Sequence, residues 1–410
     1  MSAGYGKPSP KEGHVRSFVH PTDGPMRIAI FAEIYWPMVS GVALTLRRLV
    51  DALHDRGHAV RVYAPHYNLP AGATDRPEVH RSPSWPLFLA PDVHWAFPNP
   101  TELLADMRAF RPQVTHLATE FAMGHAGLTA STRLGVPIIA SAHTDYEAYA
   151  RLYGRWLTAA VGPGWAYLRW FYAHAHRVLC PTRVFEAHLH TRGVTNTGIW
   201  TRGVDAEEFR PQFRSEAWRQ QFGAGPDDLL VTYVGRLAPE KNLPLLLEAW
   251  ERLGPQRGKA QLVLVGDGLL TAAIRERQMP GVHLAGHLHG RELATAYASA
   301  DVFAFPSSTE TFGNVLLEAM ASGTAPVCVG AGGVTEYAVD GLNALVASPE
   351  RRDDFAHQLE RLMGDATLRR ALSVGARATA LTRRWDAIHD ELVGEYAAAI
   401  ATPNRADAAA

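Results

Sequence analysis

Two acids in the stretch "FPSSTETFGNVLLEAMASG", residues 305–323, are the first candidates for chemistry: Glu310 and Glu318, eight positions apart. Partners on one helical face stand three or four apart, so these acids are not an intrahelical pair. "DVFAFPSS" reads as a short strand entering a loop. The helical pattern resumes at Val315, Leu316 and Ala319, which places residues 311–314 at a helix start. Unpaired amides and the helix dipole attract phosphate there, and Gly313, beside Asn314, permits close backbone approach. Glu310 then precedes the helix and Glu318 lies in its second turn. One acid can meet a sugar on a cleft floor while the other reaches the hydroxyls of a second moiety.

A second cluster follows the apolar run "LLVTYV", where "GRLAPEKN" supplies Gly235, Arg236 and Lys241. Arginine offers a planar fork and lysine a compact charge, a combination suited to a diphosphate that gains negative charge as it leaves. The sequence contains no Asp-x-Asp pair, so a divalent metal has no evident seat and charge stabilisation is expected to fall to Arg236, Lys241 and helix amides. The expectation is a site without metal.

These residues need strands and helices to hold them. The chain has 410 residues, 47% hydrophobic and 20% charged, which favours two globular domains. No apolar run reaches the roughly 18 residues of a membrane span. A net charge of -1 gives no basic footprint for nucleic acid. "RIAIFAEI", the helical spacing of Val42, Leu46, Leu49, Val50 and Leu53, and then "RGHAVRVYAP", "QVTHLATE", "GVPIIASAH" and "HRVLCPT" alternate strand with helix. "LLVTYVGRL", "AQLVLVGDG", "VHLAGHL", "DVFAFPSS" and "TAPVCVGAG" repeat the alternation. Two Rossmann-like, doubly wound parallel sheets facing across a cleft are expected, over 26–200 and 213–384, joined by a polar linker at 201–212. A disordered leader (1–25), a C-terminal helix (385–400) returning to the first domain and a disordered tail (401–410) complete the division. Cys180 and Cys328 lie in separate apolar segments, and no secretory signal opens the chain, which reads as cytoplasmic. The aromatic, arginine-bearing stretch 151–177 reads first as core packing, with contact to a lipid surface as the alternative.

"GRLAPEKNLPLLLEAW", "LVLVGDG" and "PSSTETFGNVLLEAMASGTAPVCVGAGGVTEYAVDGLNALV" together resemble the retaining glycosyltransferases of the GT-B fold, family 4, over residues 26–400. The resemblance implies that Arg236 and Lys241 hold the diphosphate of a nucleotide sugar, that Glu310 contacts the donor sugar and that Glu318 binds ribose. Gly313 and Asn314 would complete the cradle. The loop of Gly266 and Gly268, with "GHL" at 286–288, would flank the base. "YWPMVSGVALTL" resembles the family's glycine loop, with Gly41 near the phosphate, although Ser40 stands where many relatives carry a second glycine. "SAHTDYEAY" resembles the histidine segment and would put His143 beside the reacting sugar, with Asp145 nearby. On the residues alone, a histidine after an apolar strand is also an ordinary hydrogen-bonded core residue.

The implied reaction is front-face displacement from a GDP-mannose or UDP-glucose type donor, without cofactor. Motifs around "ETFGNVLLEAMASG", "HTDYEAYARLYG" and "WTRGVDAEEFRP" resemble the subgroup of mannosyl, sulfoquinovosyl and glucosyl lipid transferases. A lipid or sugar acceptor is therefore expected, with peripheral contact at the inner membrane face. Three rivals compete. A nicotinamide oxidoreductase would need G-x-G-x-x-G after the first strand, which "FAEIYWPMVSG" does not supply. A sugar-nucleotide epimerase would use the donor without an acceptor. A noncatalytic relative would bind donor and turn nothing over.

Overall fold

The computed structural model describes residues 24–38, 40–69, 72–87, 90–153 and 161–402. The expected leader and tail lie outside these apart from residues 24–25 and 401–402, as does the 154–160 part of the aromatic stretch.

The first sheet is built from β1 (Arg27–Phe31), β2 (Ala59–Pro65) and β3 (Val79–Ser82). A hairpin, β4 (Ser84–Leu87) and β5 (Ala90–Ala96), stands apart from it. β6 (Val114–Leu117), β7 (Ile138–Ser141), β8 (Arg177–Cys180) and β9 (Thr197–Ile199) complete it. The order is β3-β2-β1-β6-β7-β8-β9, parallel throughout. The second sheet holds β10 (Leu230–Val234), β11 (Gln261–Val265), β12 (Val282–Gly286), β13 (Val302–Phe305), β14 (Ala325–Val329) and β15 (Leu345–Ala347), in the order β12-β11-β10-β13-β14-β15. Parallel strands covered on both faces must be apolar throughout, which is why β10, β13 and β14 are buried along their whole length.

Both sheets change winding direction once, between β1 and β6 and between β10 and β13. Chains leaving neighbouring strands there travel to opposite faces and leave a crevice at the carboxyl ends. The loops after β10 and β13 carry Arg236, Lys241 and Glu310. The loop after β1 leads to Gly41, and His143 follows β7.

Each sheet has a core on either face. Phe303, Phe305, Tyr297, Leu316 and Met320 fill one side of the second sheet and Trp250, Leu246, Leu264 and Leu359 the other. Full burial of each such side chain contributes roughly 1.5–3 kcal/mol. The Trp385–Ala401 helix sets Ile388, Leu392, Tyr396 and Ala399 against Met26, Ile28 and Leu46, so the last helix among the described residues covers the first sheet. Cys180 and Cys328 are buried free thiols in separate sheets, and burial pushes both up to about 12. In the aromatic stretch, Trp165, Phe171 and Tyr172 enter the core, whereas Tyr167 and Trp170 are exposed. Among the described residues no helix is long and apolar enough to cross a membrane.

Candidate active site

The Asn314–Ala321 helix opens on Gly313, which stands in the left-handed region at φ 91°. Among the described residues no side chain caps it, so its first amides are left open at the crevice. A Cβ at Gly313 would lie 2.9 Å from Val334 Cγ1 and 3.2 Å from the Tyr337 hydroxyl, so glycine is required by space as well as by φ. Two helix starts of the first domain, those at Gly41 and Ala122, are occupied differently. Ser40 Oγ accepts from the Ala43 amide at 3.1 Å, and Glu33 Oε1 accepts from the Met123 amide at 2.8 Å.

Lys241 and Glu310, from the two loops of the second switch point, meet at 2.6 Å. The Ser307 hydroxyl donates to the same carboxylate oxygen at 2.8 Å, which leaves Glu310 Oε2 without a hydrogen bond among the described residues. Burial pushes the Glu310 carboxyl up, but Lys241, Ser307 and Arg236 outweigh it and hold the group below its ordinary value. Arg236 is more exposed and pairs with Glu240 at 2.9 Å.

Gly266 and Gly268 hold this cluster from behind. A Cβ at Gly266 would lie 2.1 Å from the Gly235 carbonyl oxygen, and one at Gly268 2.5 Å from that of Leu237. The Leu237 amide donates to the Asp267 carbonyl at 2.9 Å, so the loop after β11 grips the loop that carries Arg236. Gly332 and Gly333 support the Glu310 loop in the same way, the Gly333 amide donating to the Glu310 carbonyl at 2.6 Å.

The first domain closes the crevice. A Cβ at Gly41 would lie 3.2 Å from Asn314 Nδ2, so the starts of the Gly41–Asp55 and Asn314–Ala321 helices face each other. The Thr311 hydroxyl donates to the His143 carbonyl at 2.8 Å, and the Thr182 hydroxyl donates to the Thr311 carbonyl at 3.0 Å. The structure thus brings Lys241, Glu310, Gly313, Asn314 and Gly41 to one crevice with His143 on its wall. Glu318 lies one helix turn further in, where Tyr297 donates to Oε2 at 2.9 Å. Burial drives its carboxyl up to about 7 against the opposing pull of Tyr297 and of Arg48 from the first domain.

The family profile described as glycosyl transferases group 1 matches residues 214–379, and that of glycosyltransferase family 4 matches residues 39–208. A GDP-mannose-dependent alpha-mannosyltransferase of Mycobacterium tuberculosis is 35% identical over 91% of this chain and 97% of its own length. The chain belongs to glycosyltransferase family 4. A sulfoquinovosyl transferase of Arabidopsis thaliana is 32% identical over 92% of this chain and 74% of its own. The Anabaena HepE protein, solved with UDP and glucose, superposes with a TM-score of 0.70 at 20% identity, over 90% of this chain and 98% of that one. The fold of this glycosyltransferase is GT-B.

In this family 4 chain the His143 ring is fully engaged. Arg202 Nη2 donates to Nδ1 at 2.8 Å, so the neutral ring carries its proton on Nε2 and donates to Ser141 Oγ at 2.9 Å. Ser141 then donates to His116 Nε2, also 2.9 Å away, and His116 Nδ1 lies 2.7 Å from the Tyr396 hydroxyl. Burial, then Arg202 and His116, hold His143 well below its ordinary value, and burial brings Arg202 down to about 9. Asp145 does not reach the crevice among these contacts; it caps the Tyr146–Tyr153 helix, accepting from the Ala148 amide at 2.9 Å.

Ser307, Thr311 and Arg202 were not singled out in the sequence. Ser307 follows a strand end and was open to the same rule as Glu310. Arg202 stood in the segment read as linker, and nothing local tied it to His143.

Proposed function

We propose that this glycosyltransferase moves a hexose from a nucleotide-diphosphate sugar, GDP-mannose first and UDP-glucose type second, to a hydroxyl of a glycolipid or diacylglycerol-type acceptor with retention. The observation that carries the reading is the Lys241–Glu310 pair at the switch point, beside the uncapped mouth of the Asn314–Ala321 helix and opposite Gly41. Lys241, Arg236 and the amides at Gly313 and Asn314 take the diphosphate. The free Oε2 of Glu310 accepts from donor-sugar hydroxyls and Glu318 from the ribose, while Gly266 and Gly268 border the base.

The bond between the anomeric carbon and the diphosphate oxygen breaks as the acceptor oxygen bonds on the same face. The acceptor proton passes to the departing phosphate. Catalysis comes from alignment and from preorganised charge around the phosphate, with no metal or cofactor taking part. His143, held neutral, contributes a fixed wall beside the sugar.

Support for retention is chemical: the Mycobacterium tuberculosis relative is an alpha-mannosyltransferase, and GDP-mannose carries its sugar in alpha linkage. Support for a lipid acceptor is the sulfoquinovosyl relative and an alpha-monoglucosyldiacylglycerol synthase of Streptococcus pneumoniae, 27% identical over 74% of this chain. We place the reaction in the cytoplasm at the inner membrane face.

The test is a panel of GDP-mannose, UDP-glucose and UDP-GlcNAc with a bacterial lipid extract, products read by mass and by the one-bond carbon–proton coupling at the anomeric centre. An alpha-mannosylated lipid is expected, unaffected by chelator. Sugar-nucleotide isomer formed from donor alone would favour an epimerase, and transfer only to water-soluble sugars would overturn the lipid acceptor.

A further inference from the structure

A groove of about 630 Å³ lies on the first domain, and none of the residues lining it belongs to the donor crevice. The Ala122–Leu134 helix forms one wall with Ala122, Ala126 and Ala130, one turn apart, whose short side chains leave the trough. Leu103 and Leu104 face them, and Trp95 and Tyr167 contribute aromatic surface. From Ala122 to Arg133 the wall runs about 16 Å at helical rise.

The lining is mainly apolar; its polar side chains are Glu120, His125, Thr129, Arg133 and Tyr167, of which the Thr129 hydroxyl donates to the His125 carbonyl at 2.9 Å and the Tyr167 hydroxyl to the Glu120 carbonyl. Pro98 and Pro100 have no amide N–H. Glu120 is already satisfied, its carboxylate accepting from the Tyr146 hydroxyl at 2.6 Å and from that of Tyr172. Along Leu103, Leu104 and the three alanines an occupant finds no side-chain hydrogen-bond partner, and a hydrocarbon chain needs none.

The groove also abuts the cleft. The Phe121 ring stands edge-on to Tyr146, centroids 5.5 Å apart, and Tyr146 opens the helix that follows His143. At the rim, Trp95 lies 6.2 Å from Phe121 and pairs across the hairpin with Trp85, which is 73% exposed, while Phe97 is 57% exposed. Exposed aromatics of this kind suit a boundary between water and hydrocarbon.

We infer that this groove receives one hydrocarbon chain of the acceptor lipid while the hydroxyl-bearing head enters the cleft beside His143 and Thr311. The inference rests on the lipid-acceptor reading above. Each methylene withdrawn from water is worth roughly fourfold in affinity, so chain length is the readout.

The experiment compares dibutyrylglycerol with dioctanoylglycerol as acceptors for wild type, Ala126→Phe and the milder Ala126→Leu, with donor hydrolysis measured in parallel. Quenching of tryptophan fluorescence by 11-bromoundecanoic acid is the second readout, with Trp95→Phe identifying the reporter. Wild type is expected to show a KM at least about tenfold lower for the longer chains, and filling the groove to erase that preference and the quenching. The dibutyryl KM and donor hydrolysis should stay unchanged. Chain preference that survives both Ala126 variants would overturn the groove while leaving transfer intact. Preference lost instead in Trp85→Ser with Phe97→Ser would assign it to adsorption on a lipid surface, and would equally overturn it. Hydrolysis without transfer to either glycerolipid would remove the acceptor reading, and the quenching would then decide the groove alone.

Discussion

Lys241 and Glu310 depend on each other. The ammonium keeps a largely buried carboxyl ionised, and the carboxylate holds the ammonium beside the helix mouth where we propose the phosphate sits. Lys241→Ala is expected to cut kcat by about a hundredfold or more, since a preorganised charge at a leaving group is lost. It should also raise the Glu310 carboxyl, moving the acid limb of the pH–rate profile upward; an unchanged rate and profile would remove both roles. Glu310→Gln keeps shape and loses charge, so it should lower kcat with little change in Tm by calorimetry. Glu318 gives a pH prediction of opposite sense. Its folded value of about 7 stands above the ordinary 4.5, so its stability contribution is complete below 4.5 and is lost as pH rises through 7. Glu318→Gln should therefore melt higher than wild type at pH 8 and alike at pH 4. If Glu318 holds the ribose as proposed, wild-type donor affinity, read by calorimetric titration, should weaken below pH 7 as its carboxyl protonates, and the variant should lack that slope. His143, neutral throughout, should add no titration of its own between pH 6 and 8.

At the scale of elements, the glycine loops decide where the charges sit. Gly313→Ala puts a Cβ in the left-handed region and within 2.9 Å of Val334, so it should cost about 1–2 kcal/mol in urea melts as well as donor affinity. A neutral effect on both would separate the helix mouth from donor binding. The strand–loop–helix course around Glu310 was legible because an apolar run, a proline and a resumed helical period follow in order. The helix begins at Asn314 with Gly313 as its cap, the inner limit of the expected start at 311–314. The reason for Gly266 and Gly268 was not legible, because it lies in the carbonyls of Gly235 and Leu237, about thirty residues away. The β4–β5 hairpin was missed for a local reason: Pro83 and Pro86 interrupt its alternation, and its aromatics face outward instead of marking a core.

On the scale of the whole molecule, two sheets wound alike place their switch points opposite each other, and among the described residues a few polar contacts join them at the crevice. Thr311 makes one with its hydroxyl and accepts one at its carbonyl. Thr311→Val removes the hydroxyl link to His143 and should loosen closure, raising the ratio of donor hydrolysis to transfer as water gains access; an unchanged ratio would show that closure does not depend on it. Alternating strands and helices made the two sheets legible from sequence. Which loops cross between them was not, since Thr311 meets Thr182 and His143 only when distant strand ends are brought together. The account's central claim is that the crevice seats a nucleotide diphosphate between these sheets, and a crystal structure with bound GDP-mannose tests it most directly. It should show the β-phosphate at the mouth of the Asn314–Ala321 helix within hydrogen-bond reach of Lys241, and the mannose hydroxyls on Glu310. A nucleotide bound elsewhere, with Lys241 and Glu310 still paired and untouched, would contradict it.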